Sequence, residues 1–331
     1  MDKEADNILR QKRELMNLFP DRIRKYFDSV LEEAEVIQEV RLRSKKPVII
    51  RKAGKDYYLS LKGDLKGPFF STITMAMEPP LVFHPDDIED IFRHICRDSV
   101  FAYTDELKNG FVTVPGGHRV GVTGHAVIES SGNALVETLR NISALNIRVS
   151  HELKGIAEPV LRSIMREGEF KNTVIVSPPG AGKTTLLRDM IRVLSDGTLY
   201  DGYHIGVVDE RSEIGGMYMG ECQNELGIRT DILDGCPKIR GIDMLIRSMA
   251  PQIVAVDELG SAEESKAIIR ACYCGCKVLA TIHGFGVHEI MEQSVMEPLV
   301  KDKMIRYYIV LSTKNGVGTL EGIYDKEGRL C

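Results

Sequence analysis

The sequence has 331 residues, which is long enough for two domains of ordinary size that each bury a core. Its 43 Lys and Arg residues and 48 Asp and Glu residues give a net charge of -5, so no global positive field favours binding to nucleic acid. The seven cysteines are an odd set that fits a reducing compartment, and the N-terminus lacks the basic start and apolar core of a signal peptide. Because no stretch approaches the roughly 18 apolar residues of a membrane span, we expect a soluble cytoplasmic protein without a span of its own.

The first 35 residues have the apolar spacing of helices, and the pattern is interrupted near Pro20. This predicts two short helices. From residue 39 the pattern changes to the alternation of strands, since Val40 and Leu42 alternate with arginines. Two later apolar runs, residues 48–50 and 57–59, flank a turn at Ala53-Gly54 and predict a hairpin.

A second hairpin is predicted between residues 111–114 and 119–123, through a Pro-Gly-Gly-His turn. Residues 86–97, between the two hairpins, have helical spacing. We therefore predict an α+β domain over residues 1–150 and a parallel α/β domain over residues 151–331.

Residues 41–55 contain seven Lys or Arg residues and no acid. Such a segment could contact anionic lipid or nucleic acid. We favour the solvated face of a half-buried strand, because the charges alternate with core residues.

The most informative motif lies between a β-branched run, residues 173–176, and a segment whose apolar residues recur at helical spacing. It has the pattern of a phosphate-binding loop, whose backbone N–H groups and following helix hold the phosphates of ATP. Lys183 adds a cation, and Thr184 adds a hydroxyl for Mg²⁺. The residues of the motif are Ser177, Pro178, Pro179, Gly180, Ala181, Gly182, Lys183 and Thr184.

Ser177 stands where the full pattern has glycine. The close approach of the backbone to phosphate depends on Gly180 and Gly182, which take positive φ without a Cβ penalty. The alternative is a Gly-Pro turn before an ordinary amphipathic helix. We favour ATP binding, because the strand and the helix are the context that a phosphate loop requires.

Two further apolar runs, residues 205–208 and 253–256, each end in Asp-Glu. Parallel strands deliver such residues to one edge of a sheet, so both pairs are expected beside the loop. ATP hydrolysis needs one carboxylate in the Mg²⁺ shell and another that orients or deprotonates water. We predict Asp257 for the first role and Glu258 for the second. Glu210 is either a further functional acid or part of a charged loop at a strand end.

A further strand, residues 277–281, ends in Thr281-Ile282-His283-Gly284. An isolated histidine is usually structural, but the register of His283 with the other motif-bearing strands favours a functional role. Ser261 and Glu264 form a capping box that predicts a helix start at residue 262.

Cys272, Cys274 and Cys276 could be interpreted as metal ligands. Three sulfurs in a C-x-C-x-C run that crosses a helix end do not easily converge on one tetrahedral ion. We favour small buried thiols over zinc.

Together these motifs resemble the type II and type IV secretion ATPases, and within that superfamily most of all its sporulation branch in endospore-forming bacteria. Residues 39–43 and 115–122 add to the similarity, which therefore covers most of the chain. Four segments carry the resemblance: SPPGAGKTT at residues 177–185, VVDERSE at 207–213, IRSMAPQIVAVDE at 246–258 and ATIHG at 280–284.

The resemblance implies a RecA/AAA-like P-loop ATPase domain with a parallel sheet, preceded by a smaller α+β domain. Residues 177–185, which include Thr185, are then the Walker A box, and residues 209–213, with Glu210 as a catalytic residue, are the aspartate box. Residues 253–258 are the Walker B strand, and residues 281–284, with His283 as a catalytic residue, are the histidine box. Asp257 departs from the secretion motors, which generally have glycine there, so its role as a metal ligand stays open.

The resemblance also implies a homo-oligomeric ring, expected to be a hexamer, that couples ATP hydrolysis to a membrane channel or assembly complex during endospore formation. A neighbouring subunit's arginine would raise the rate, and Arg119, Arg140 and Arg148 are candidates. Two alternatives are a nucleic-acid translocase and a nucleotide-gated scaffold without turnover. The absence of Trp and the acidic total disfavour the first, and the presence of Glu258 disfavours the second.

Overall fold

The computed structural model describes residues 2–31, 37–67, 78–128, 136–165 and 168–331. The chain forms two units. The first comprises Met1–His151 together with the short segment Tyr218–Glu221, and the second comprises Glu152–Met217 and Cys222–Cys331.

The first unit contains a seven-stranded sheet in the order β4-β3-β2-β1-β7-β6-β5, in which all neighbouring strands are antiparallel. Its helices are α1 (Asp2–Met16), α2 (Asp21–Arg24), α3 (Pro85–Ile95) and α4 (Thr104–Lys108), with 3-10 turns at Val100–Tyr103 and Pro115–Gly117. Its strands are β1 (Ile37–Arg43), β2 (Ile49–Lys52), β3 (Lys55–Leu59), β4 (Leu65–Lys66), β5 (Phe111–Val114), β6 (His118–Ile128) and β7 (Val136–Arg148).

Both predicted hairpins are present. Strands β2 and β3 are joined by Ala53 and Gly54, which have φ of 49° and 75° and so match the right-handed twist of a two-residue hairpin. Strands β5 and β6 are joined at residues 115–117, where Gly116 has φ of 82°. Along β1, Val40 and Leu42 are buried and the intervening arginine is not, as the alternation predicted.

The helices of the first unit agree less closely with the sequence pattern. Helix α2 has only four residues and gives way to turns, although its pattern predicted a longer helix; Asp28 and Ser29 in the following turn are weak helix formers. The last part of that prediction, residues 32–35, lies outside the described residues. Helix α3 is present as predicted and begins at Pro85, where the Asp87 carboxylate accepts the His84 N–H at 3.0 Å.

The second unit contains a seven-stranded sheet in the order β10-β9-β11-β12-β8-β13-β14. All neighbours are parallel except β13 and β14. Its strands are β8 (Thr173–Ser177), β9 (Ile205–Asp209), β10 (Thr230–Asp234), β11 (Ile253–Val256), β12 (Lys277–His283), β13 (Tyr307–Ser312) and β14 (Thr319–Asp325). Its helices are α5 (Glu158–Ile164), α6 (Lys183–Asp196), α7 (Lys238–Ser248), α8 (Ala262–Tyr273), α9 (Val287–Met291) and α10 (Glu297–Lys301).

The order of this sheet determines which residues meet at its carboxyl edge. Strand β12 lies between β8 and β11, with His283 paired in register with Ser177 and Ala280 with Val256. Strands β8, β9 and β11 are buried along their whole length, as their continuous apolar runs predicted. Strand β12, which ends in His283, therefore lies directly between the phosphate-loop strand β8 and strand β11, which leads to Asp257 and Glu258.

Helix α8 begins at the predicted residue, Ala262. The Ser261 hydroxyl accepts the Glu264 N–H at 3.2 Å, which is one half of a capping box. The other half differs from the prediction, since the Glu264 carboxylate accepts the N–H of Gly260 at 2.8 Å rather than that of Ser261. Both bonds satisfy N–H groups at the helix start.

Candidate functional site

The loop between β8 and α6 has the backbone that the sequence predicted. Gly180 and Gly182 have φ of 75° and 90°, in the left-handed region that favours glycine. A Cβ on Gly180 would point into open space, whereas a Cβ on Gly182 would lie 3.3 Å from Val317 Cγ1 and 3.4 Å from the Gly318 nitrogen. The positive φ therefore favours glycine at residue 182, and a Cβ there would also press tightly against Val317 and Gly318.

The start of α6 has the properties of an anion site. Gly182 is the N-cap, and no side chain in the described part of the chain caps this helix. The first turn contains no acidic residue, and its N–H groups have no acceptor within the helix. With the Lys183 ammonium at the same end, these donors fit the phosphates of a nucleotide.

Lys183, Glu258 and His283 form one side-chain cluster at the edge of the sheet. The Lys183 Nζ lies 3.8 Å from Glu258 Oε2 and 3.4 Å from His283 Nε2. The His283 Nε2 lies 3.1 Å from Glu258 Oε2, and its Nδ1 lies 3.3 Å from the Ser177 carbonyl oxygen. The Lys183 side chain is 13% exposed and that of Glu258 38% exposed, so the carboxylate is open to solvent beside a more enclosed ammonium.

Asp257 contacts two hydroxyls. Its Oδ2 accepts from Thr184 Oγ1 at 3.4 Å, and its Oδ1 accepts from Thr281 Oγ1 at 2.9 Å. Because carboxylate and hydroxyl oxygens are ligands of the kind that Mg²⁺ takes beside phosphates, Thr184 and Asp257 fit the predicted metal position.

Glu210 lies in the same cleft but has a different partner. The Lys238 Nζ donates to Glu210 Oε2 at 2.7 Å and lies 3.5 Å from Glu264 Oε1. The cleft has a volume of about 320 Å³, and Asp257 and Glu258 also line it. Lys238, the first residue of α7, was missed by the sequence analysis, and no local pattern distinguishes it from other surface lysines.

Asp209, which precedes Glu210, is buried and holds the backbone of the loop after β9. Its carboxylate accepts the N–H groups of Glu213, Ile214 and Gly215 at 2.8, 2.9 and 2.7 Å. Burial raises the pKa of Asp209 from 3.8 to about 6, against the effect of these bonds. Asp209 therefore holds the backbone of this loop, and both Asp209 and Glu210 line the cleft.

Arg188 connects the phosphate-loop helix to the same loop. Its Nε donates to the Glu213 carbonyl oxygen at 3.1 Å. Burial lowers the pKa of its guanidinium, whereas the carboxylates of Asp209 and Asp257 raise it. The sequence analysis missed Arg188, for which the available signal was its position on the helix that begins with Lys183.

The titration of Asp209 gives a testable prediction. Because its pKa is higher in the folded chain than in the unfolded chain, Asp209 stabilises the fold most below about pH 4, and this contribution is lost as the pH rises through about 6. Asp209→Asn removes the titration. The free energy of unfolding of wild type relative to this variant should therefore fall by up to about 3 kcal/mol between about pH 4 and pH 7.5. Urea denaturation at several pH values measures this difference, and a constant difference would contradict the assignment.

The three clustered cysteines have different environments. Cys276 is buried and donates to the Pro251 carbonyl oxygen at 3.2 Å, and burial raises the pKa of the half-buried Cys272 to about 11. Cys274 is exposed, so its predicted burial is wrong. It lies just beyond the last residue of α8, where the chain turns toward β12.

The three candidate arginines lie on strands β6 and β7 of the first unit. The Arg119 guanidinium lies 3.8 Å from the centre of the Phe111 ring. Arg140 and Arg148 are exposed.

Comparison with known proteins identifies the family. A family model described as sporulation stage III, protein AA matches residues 9–331. The chain belongs to the stage III sporulation protein AA family. It is 35% identical over 319 residues to the stage III sporulation protein AA of Bacillus subtilis, covering 96% of each chain. The similarity to the SEEDLING PLASTID DEVELOPMENT 1 protein of Arabidopsis thaliana is more limited, with 27% identity over 173 residues that cover 50% of this chain and 24% of that protein.

Solved structures show the fold of this member of the stage III sporulation protein AA family. The ATPase DotB of Yersinia pseudotuberculosis matches with a TM-score of 0.57 and 14% identity, covering 91% of this chain and 78% of that one. The pilus retraction motor PilT, solved with bound ADP, matches with a TM-score of 0.53 and 16% identity, covering 86% and 76%. The predicted P-loop ATPase fold and the predicted similarity to the sporulation family are confirmed. No helix in the described ranges is both long enough and apolar enough to cross a membrane.

Proposed function

We propose that this chain binds and hydrolyses ATP, with the phosphates held at the start of α6. One observation carries the proposal. A cation, a carboxylate open to solvent and an imidazole meet within 4 Å of one another, directly beside a glycine loop whose helix start has no side-chain cap in the described structure. This combination supplies charge for phosphates and a base for water at one point.

The phosphate-binding part comprises the residues of the predicted Walker A box, Ser177 to Thr185. The backbone N–H groups at the start of α6 would donate to the phosphate oxygens, and the positive end of the helix favours their charge. The Lys183 ammonium, which lies 3.8 Å from Glu258 Oε2, would contact phosphate from the side on which Glu258 lies. Gly180 leaves space open where a side chain would block the approach.

Thr184 and Asp257 are the residues that would hold Mg²⁺. When bound there, the ion would neutralise the negative charge that develops on the phosphate oxygens while the terminal phosphoryl group is transferred. The Thr281 hydroxyl, which donates to the other oxygen of Asp257, fixes the orientation of that carboxylate.

Glu258 is proposed to orient and deprotonate the attacking water. Its exposed carboxylate can accept a proton, and its contact with His283 at 3.1 Å restricts its position. Glu210 faces the same cleft, but Lys238 already neutralises it at 2.7 Å. We therefore assign Glu210 a positioning role at the wall of the cleft.

We further propose that the chain acts as a cytoplasmic homo-oligomeric ring, a hexamer, that works with membrane channel or assembly proteins during endospore formation. The proposal is supported by its membership of a sporulation family and by the fold that it shares with the pilus retraction motor. An arginine from a neighbouring subunit would stabilise charge on the transferred phosphate, and rate effects of such residues are about 10³ to 10⁵. Arg140 and Arg148, which are exposed, are the candidates that remain most accessible.

The purified chain should release phosphate from ATP in the presence of Mg²⁺, and its particle mass in light scattering should increase when ATP is added. Turnover should be stimulated by membranes from the source cell more than by single-stranded DNA. Strong stimulation by DNA alone, lost at high salt because each neutralised phosphate releases a counterion, would support a nucleic-acid translocase instead. ATP binding without any phosphate release would support a nucleotide-gated scaffold.

A further inference from the structure

The turn between β13 and β14, residues 313–318, lies against the phosphate loop. The Gly318 N–H donates to the Ala181 carbonyl oxygen at 3.1 Å. The Val317 side chain is next to Gly182, since a Cβ on that glycine would be 3.3 Å from Val317 Cγ1. This turn therefore borders the loop on the side opposite to the strands that carry Glu258 and His283.

The turn is internally held in its shape. The Thr319 hydroxyl donates to the Gly316 carbonyl oxygen at 2.7 Å and accepts the Asn315 N–H at 3.3 Å. Gly316 and Gly318 have φ of 111° and 86°, which place both glycines where other residues are strained. The Lys314 ammonium at the base of the turn is paired with Glu321 at 3.0 Å.

Val317 is the one residue of 313–318 with a large apolar side chain, and it is 71% exposed. A branched apolar side chain that stands in solvent at the rim of a binding loop offers a surface to an apolar or aromatic ligand group. Its neighbours in the turn, Gly316 and Gly318, have no side chains that could cover it.

The order of the sheet gives a direction to a bound nucleotide. The groups suited to the terminal phosphate, Lys183, Glu258 and His283, lie toward β12 and β11. The phosphate loop follows β8, and on its other side the sheet continues with β13 and β14. A nucleotide whose terminal phosphate faces Glu258 therefore extends its nucleoside toward the turn that carries Val317.

We propose that the β13–β14 turn forms the nucleoside side of the ATP site, with Val317 packing against the base. The inference depends on the proposed function, because it assumes that the loop before α6 binds the phosphates. It adds a ligand contact from a segment that contains none of the motifs of the sequence analysis. The Gly318–Ala181 hydrogen bond fixes the distance between the base contact and the phosphate contact.

The test compares a ligand that has a nucleoside with one that lacks it. Binding of ADP and of inorganic tripolyphosphate, both with Mg²⁺, is measured by calorimetry on the full chain. Val317→Ser should weaken ADP binding about three- to tenfold, by removing apolar contact, and leave tripolyphosphate binding unchanged. Val317→Leu should retain ADP affinity. Ile228→Ser, which changes an 81% exposed residue elsewhere in the same unit, is the matched control.

The outcomes separate the two proposals. If Val317→Ser weakens both ligands equally, the turn acts only through the phosphate loop and the nucleoside contact is wrong. An unchanged ADP affinity in Val317→Ser also overturns it. If wild type binds neither ADP nor tripolyphosphate, the proposed function fails and this inference fails with it. Both proposals are supported if wild type binds both ligands and Val317→Ser, alone among the variants, loses the preference for ADP over tripolyphosphate.

Discussion

Glu258→Gln is expected to bind ATP with nearly wild-type affinity and to hydrolyse it about 10² to 10⁴ times more slowly. The amide keeps the shape of the side chain and its proximity to Lys183 and His283 but cannot accept a proton from water. Steady-state phosphate release and equilibrium ATP binding, measured on the same preparation, separate the two effects.

Glu210→Gln is the matched control, because it makes the same chemical change in the same cleft. In the wild type, Lys238 neutralises the Glu210 carboxylate. We therefore expect the variant to lose only a modest part of its turnover, from a weaker contact with that ammonium. If Glu210→Gln is inactive while Glu258→Gln turns over at the wild-type rate, the roles are reversed and the residue after β9 carries catalysis.

Lys183→Ala is expected to abolish turnover and to weaken ATP binding about ten- to hundredfold. The variant removes a charged hydrogen-bond donor worth about 1.5 to 3 kcal/mol from the start of α6. The fold should persist, because the ammonium contacts only two side chains among the described residues, and both lie at the edge of the sheet. Thermal unfolding and nucleotide titration measure the two expectations separately.

Lys326→Ala is the control for the loss of a lysine. It removes an ammonium that lies 3.7 Å from Glu327 Oε1, directly after the last residue of β14. It should leave ATP binding and melting temperature unchanged, since a surface ion pair contributes little. A melting temperature for Lys183→Ala far below that of Lys326→Ala would mean that residues 177–183 form a structural turn, and the phosphate assignment would then be wrong.

The main strands and the phosphate loop of the second unit could be predicted because their signals are local. A buried parallel strand is a continuous apolar run, and β11 has the bounds that its run predicted. The loop needs glycine at positions of positive φ, and Gly180 and Gly182 have that conformation. Helix α8 begins where Ser261 predicted, because a cap acts within one turn of the chain.

The sequence alone did not determine which charged groups pair across the sheet. Asp209 and Glu210 are adjacent in the chain, yet one is buried against backbone N–H groups and the other faces Lys238. That difference depends on where α7 begins relative to β9, which is a long-range arrangement. The same limit applies to Arg188, whose acceptor lies 25 residues further along the chain.

What the sequence by itself determined is the chemistry: a glycine loop with lysine, two strands that end in Asp-Glu, and a histidine at the end of a third. The tertiary structure decided which of these groups act together. The insertion of β12 between β8 and β11 brings His283 to Glu258 and Thr281 to Asp257, and the β13–β14 turn brings Val317 to Gly182. Strand order and register set these contacts, because they depend on pairing between segments distant in the chain, for which the local pattern carries no signal.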